Sequence, residues 1–137
     1  MTRRLLGVLA LASLGALSAD ADPRVDYMLQ CQGCHLGDGS GAPGSVPALG
    51  GSVGRFLAVE GGRAYLVRVP GASQSPLDDA RLAGVLNWIL REFDAAALPD
   101  DFVPFSAEEV ARVRRPPLTD VESVRAQLLG ELEGASR

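Results

Sequence analysis

The sequence predicts an all-α protein, and three patterns carry the prediction. Leu82, Val85, Leu86, Ile89, Leu90 and Phe93 fall at i, i+3, i+4, i+7, i+8 and i+11, one apolar stripe of helical period. Two capping boxes, Ser106–Glu109 and Thr119–Glu122, open further helical stretches towards the C-terminus. Between them and the N-terminus, residues 37–54 hold seven glycines and two prolines, a loop rather than a packed element.

Composition narrows the function classes. The chain has 137 residues, 47% of them hydrophobic and 22% charged, which excludes a disordered chain and a polytopic membrane protein. All 13 basic residues are arginine, against 17 acids, for a formal charge of −4. Nucleic acid is therefore not expected as a partner, because phosphate binding needs clustered positive charge. With two Cys and one His, a four-ligand zinc site, a disulfide-dense scaffold and a multi-histidine metal centre are all excluded.

The elements can be justified in order. Arg3 and Arg4, the apolar run Leu5–Leu17 and the small-x-small step Ala19-Asp20-Ala21 read as a secretory signal peptide over 1–21. The run is short of the roughly 20 residues a membrane span needs, so the product is expected to be soluble and periplasmic rather than membrane-embedded. A short helix is expected over Asp26–Gln30, and another over Arg63–Val69, ended by Pro70-Gly71. The best helix follows: Ser75 as N-cap, Pro76 at the first position, and Asp78 and Asp79 at the positive end. Trp88 lies beside its apolar stripe. Beyond a linker at Asp94–Asp101, a helix to Val113, a break at Pro116-Pro117 and a helix to about Glu133 complete the chain. Val121, Val124, Leu128, Leu129 and Leu132 form the last apolar face. Helices this short must dock on the body of the protein or on a partner. Arg112, Arg114 and Arg115 form a basic cluster that reads as a solvated face or a surface steering an acidic partner.

Chemistry concentrates in five residues, Cys31-Gln32-Gly33-Cys34-His35. C-x-x-C-H is the attachment motif of c-type haem. Each thiol adds to one porphyrin vinyl group, one helical turn matches the spacing of the vinyls, and the adjacent histidine ligates the iron. A redox dithiol or a structural disulfide are the other readings; a dithiol would want a βαβ setting, and no strand pattern flanks the motif.

From Val25 to Phe93 the chain resembles a short class I cytochrome c domain. Tyr27 stands four residues before Cys31, where that family carries an aromatic, and Leu36-Gly37-Asp38-Gly39-Ser40-Gly41 is similar to its glycine-rich turn. Ser45-Val46-Pro47-Ala48-Leu49-Gly50 resembles the loop whose proline carbonyl accepts a hydrogen bond from the proximal histidine, and Gly54-Arg55 matches a common dipeptide. The resemblance implies helices wrapped around one covalent haem c, anchored by Cys31 and Cys34. It further implies His35 as proximal iron ligand, Pro47 orienting it, Leu49 against the haem, and Trp88 packed on the N-terminal helix.

One family feature is missing. The loop before the main helix, Val69–Pro76, contains no methionine to complete the iron. Met28, three residues before Cys31, is a weak candidate and otherwise reads as core filler. The sixth position is left to an empty site, water, Gln74, Ser73, Tyr65, the N-terminal amine or another chain. A site without methionine is expected to have a lowered potential and an iron open to small ligands.

The expected organisation is a signal peptide at 1–21, a haem-binding domain at 22–95 and a helical C-terminal two-helix extension at 96–137. The expected function is a periplasmic, non-enzymatic electron carrier between a dehydrogenase-type donor and an oxidase or another cytochrome. The alternative is a haem protein whose open or weakly ligated iron binds a diatomic gas. A peroxidase-like enzyme is disfavoured, since it wants a distal acid–base group.

Overall fold

The computed structural model describes residues 21–135, so the predicted signal segment lies outside the described residues apart from Ala21. Among the described residues seven α-helices follow in order: α1 Pro23–Gln30, α2 Gln32–His35, α3 Gly62–Arg68, α4 Pro70–Ser73, α5 Asp79–Asp94, α6 Ala107–Val113 and α7 Val121–Ala135. Two 3-10 turns, Arg55–Ala58 and Ala95–Ala97, fill the connections. Among the described residues there is no strand, only an isolated antiparallel bridge between Ala42 and Val46. The fold is all-α, as the sequence predicts.

Helix α1 begins earlier than expected because Asp22 accepts the Arg24 amide at 2.9 Å and Pro23 occupies the first turn. It packs across α5. Tyr27, 1% exposed, lies 5.0 Å from Trp88 and 5.3 Å from Phe93, measured between ring centroids. Beside these rings the buried Asp26 carboxylate is gripped by both Nε and Nη2 of Arg81 from α5. In α5 itself, Leu82, Val85, Leu86, Ile89 and Leu90 are all buried. Burying each such side chain is worth roughly 1.5–3 kcal/mol, ample to hold a helix this long.

The start of α5 corrects the sequence reading. Its N-cap is Asp78, whose carboxylate accepts the Arg81 amide at 2.8 Å, and the helix begins at Asp79 rather than Pro76. Ser75 is spent elsewhere: its hydroxyl donates to the Ala72 carbonyl, and its own carbonyl accepts from Arg114. The C-terminal helices join the same core through Phe105, Val110, Leu128 and Leu132. Helix α6 packs on α3 and α5, and α7 on α3 and the turn at Arg55–Ala58. Ser106 caps α6 as predicted, accepting the Glu109 amide at 3.2 Å. The cap of α7 is Asp120, accepting the Ser123 amide at 3.1 Å, one residue later than the Thr119 expected.

Arg114 overturns the picture of a solvated basic cluster. It is 7% exposed, and its guanidinium donates to the carbonyls of Ser73 (3.0 Å), Leu77 (2.8 Å) and Ser75 (2.7 Å) and to Asp79 (2.9 Å). Five donors in a fixed fork suit it to collecting scattered carbonyls that lysine could not reach together. The tail is thus stapled to the segment between α4 and α5.

Candidate functional site

Helix α1 delivers the chain to Cys31, whose carbonyl accepts the amides of Cys34 (3.2 Å) and His35 (3.0 Å) and closes α2. That single turn sets both thiols and the imidazole on one short element. Cys31 and Cys34 are free thiols, the first half-buried and the second exposed. After His35 the backbone turns sharply. Leu36 takes φ 60°, and its carbonyl accepts the Tyr27 hydroxyl at 2.6 Å. A left-handed leucine costs on the order of 1–3 kcal/mol, held here by that buried tyrosine.

The glycine-rich segment then folds back. The Gly41 amide donates to the His35 carbonyl at 3.2 Å, and Ala42 and Val46 exchange bonds at 2.9 and 2.8 Å. Gly41 has φ +68°, and a Cβ there would collide with the carbonyls of Val46 and Pro47. The close approach brings Pro47 and Leu49 to the same place as His35. Below them, buried Asp94 at the end of α5 accepts the amides of Gly51 (2.9 Å) and Gly54 (2.7 Å). Nothing in the sequence marked this aspartate beyond its position at the end of the helix.

These segments border an apolar cleft of about 270 Å³ that is open to solvent. Cys31, Cys34, His35, Pro47, Leu49 and Val53 contribute one stretch of its wall. Further lining includes Phe56, Tyr65, Val69, Ala72, Ser75, Leu77, Leu82, Val85 and, from the tail, Val121 and Arg125. Helical spacing puts Val121 and Arg125 on one face of α7. Arg125 was not singled out from sequence, although it interrupts the apolar stripe Val121, Leu128, Leu132, a charged residue where a core residue is expected. It is the one charged side chain among the described residues lining the cleft, 5.9 Å from the Phe56 ring.

Electrostatics prepare the motif for a metal-bearing ligand. Burial holds the His35 imidazole below its ordinary pKa, so it is neutral at pH 7 with a lone pair to give. The Pro47 carbonyl pulls weakly the other way as an acceptor. That contact falls short of a well-formed hydrogen bond, and His35 Nδ1 is left buried without a partner. An orphaned buried nitrogen costs about 1–3 kcal/mol, and the Pro47 carbonyl is the acceptor nearest to relieving it. The Cys31 thiol is pushed up to about 11 by burial, then by the charges of Asp26 and Cys34. Burial also raises Tyr65, with Arg125 opposing it.

Met28 is not core filler. It is 53% exposed on the outer face of α1, beside Val25 and Leu29, and stands outside the cleft lining. Of the other residues considered for the iron's sixth position, Ser73 is fully buried with its hydroxyl on the Arg114 carbonyl, and Gln74 points to solvent. Tyr65 alone of that set lines the cleft.

A helical shell around an apolar cleft, bordered by two free thiols and a neutral imidazole, is the architecture of a monohaem c-type cytochrome, and the chain belongs to that family. A cytochrome c-552 of Thermus thermophilus is 36% identical to it over 137 aligned positions, covering 87% of this chain and 90% of the relative. A second Thermus thermophilus cytochrome c-552 is 39% identical over 108 positions, covering 66% of this chain and 82% of its own. No family model matches the chain. The cofactor is haem c, one group held through Cys31 and Cys34, and the protein is a cytochrome of electron transfer. Among the described residues no helix is long and apolar enough to cross a membrane.

Proposed function

We propose that the protein is a periplasmic carrier that takes single electrons from a dehydrogenase-type donor and passes them to an oxidase or another cytochrome. When bound, haem c supplies a reversible one-electron change at its iron. The chain's own residues do the rest. Cys31 and Cys34 would fix the group by thioether bonds, and His35 would hold the iron through Nε2. With that nitrogen engaged, the proton of the imidazole sits on Nδ1, which can only donate, and the Pro47 carbonyl is the acceptor beside it. Leu49, Val53 and Phe56 would exclude water from the ring, and Arg125 is the cation available to the haem carboxylates. The expected export signal at 1–21 supports the compartment, since it would carry the chain to where haem c proteins meet periplasmic redox partners.

The observation that carries this reading is the placement of His35 with the free thiols Cys31 and Cys34 on the wall of one apolar cleft. The test is chemical cycling of the holoprotein between ferricyanide and ascorbate. Repeated cycles should return the same oxidised and reduced spectra without loss of haem. A chromophore that bleaches, or that one reagent fails to convert, would contradict a carrier.

A further inference from the structure

The wall made by α3, α4, the segment to Leu77 and α5 offers the iron almost nothing. Of its lining side chains Val69, Ala72, Leu77, Leu82 and Val85 are apolar, and Tyr65 and Ser75 are the two that carry an oxygen. Both of those hydroxyls already have neighbours of their own. The Ser75 hydroxyl donates to the Ala72 carbonyl and accepts from Arg114 at 3.2 Å. Tyr65 sets its ring 4.9 Å from that of Phe56 with Arg125 beside its hydroxyl, and burial raises it above an ordinary phenol. Nor can the segment rearrange cheaply to bring in Gln74 or Ser73. Arg114 ties down the carbonyls of Ser73, Ser75 and Leu77 while its own carbonyl takes the Ser73 hydroxyl at 2.5 Å. Releasing them would strand several buried polar groups at once.

Resting on the haem and His35 reading above, we infer that this wall is a binding place for a small neutral diatomic ligand, carbon monoxide or nitric oxide, at the iron's sixth position. Arg114 is its positioning residue: by pinning residues 73–77 it denies the position to the protein's own side chains. Binding forms one coordinate bond from the ligand to ferrous iron, with no proton or electron transferred. The wall's composition sets the class of ligand. An anion such as azide would shed its hydration against aliphatic groups that return no hydrogen bond, whereas a neutral diatomic has little hydration to lose. Arg125, the single cation of the lining among the described residues, stands with Phe56 and Tyr65 and would serve the carboxylates of the haem.

The experiment is a carbon monoxide titration of the reduced holoprotein, followed at the haem absorption bands, with azide added to the oxidised form in parallel. The expected result is saturable uptake of one carbon monoxide per haem and no azide complex at matched concentration. Ala72→Phe fills the wall and should weaken carbon monoxide by about tenfold or more, with Val69→Phe as the parallel variant should the first fail to load haem. A reduced spectrum indifferent to carbon monoxide overturns the inference, as does an azide complex of equal strength or unchanged affinity in both variants. Ferricyanide–ascorbate cycling of the same sample separates the two readings: intact cycling without carbon monoxide uptake removes the ligand site and leaves the carrier.

Discussion

The two stretches of wall around the cleft are finished to different degrees. The attachment stretch, Cys31 to Val53, leaves its chemistry open: two free thiols, an unpartnered Nδ1, and Pro47 and Ala48 exposed. The segment Val69 to Leu77 has its serines and the carbonyls of Ser73, Ser75 and Leu77 already bonded, to Arg114 or to a neighbouring residue. The first is built to be completed by a cofactor, and the second is complete without one. A side chain 37 residues downstream of Leu77 therefore decides what the iron meets on that side.

Breaking the open stretch should have the largest effect. Cys31→Ala with Cys34→Ala leaves no thiol for attachment, and the protein should lose all haem on a denaturing gel stained for peroxidase activity of the cofactor. Breaking the closed stretch comes next. Arg114→Ala strands three carbonyls and should cost about 2–4 kcal/mol in denaturant unfolding, with haem still covalently attached. Loss of haem from that variant would show that the two stretches are not independent. Asp94→Ala frees the Gly51 and Gly54 amides and should cost roughly 1–3 kcal/mol, read by the same unfolding curve.

The smallest effect concerns the tail and pH. The Arg63 guanidinium, bonded to both Glu109 oxygens at 2.7 Å, holds that carboxyl below its ordinary value of 4.5. A depressed carboxyl contributes stability above the unfolded value and loses it as pH falls through the folded one. Thermal unfolding should therefore lose about 1 kcal/mol or less from this pair below pH 4.5, given its partial exposure, and Arg63→Ala should remove that dependence.

How much of this the sequence disclosed follows from the range of the interactions involved. The motif Cys31–His35, the stripe of α5 and the Ser106 cap are local patterns, legible because spacing alone defines them. Through family resemblance Tyr27 was legible as the aromatic of the N-terminal helix and Trp88 as packing on that helix, though not their contact with each other. Arg114, Arg125 and Asp94 were not. Each works through partners 35 or more residues away, and a run reading Arg112–Arg115 looks like a solvated surface until the fold buries one member. The Ser75 cap failed for the same reason, because a distant guanidinium took the atoms a cap would use. Met28 misled in the opposite sense: its apolar side chain suggested core, yet the buried face of α1 belongs to Asp26 and Tyr27.

The central claim is that one covalent haem on this chain passes one electron at a time. A potentiometric titration of the holoprotein, followed at its haem bands, tests it directly. The account predicts a single wave with a slope of about 59 mV per tenfold change in the oxidised-to-reduced ratio. Two waves, or a two-electron slope near roughly 30 mV, would contradict it.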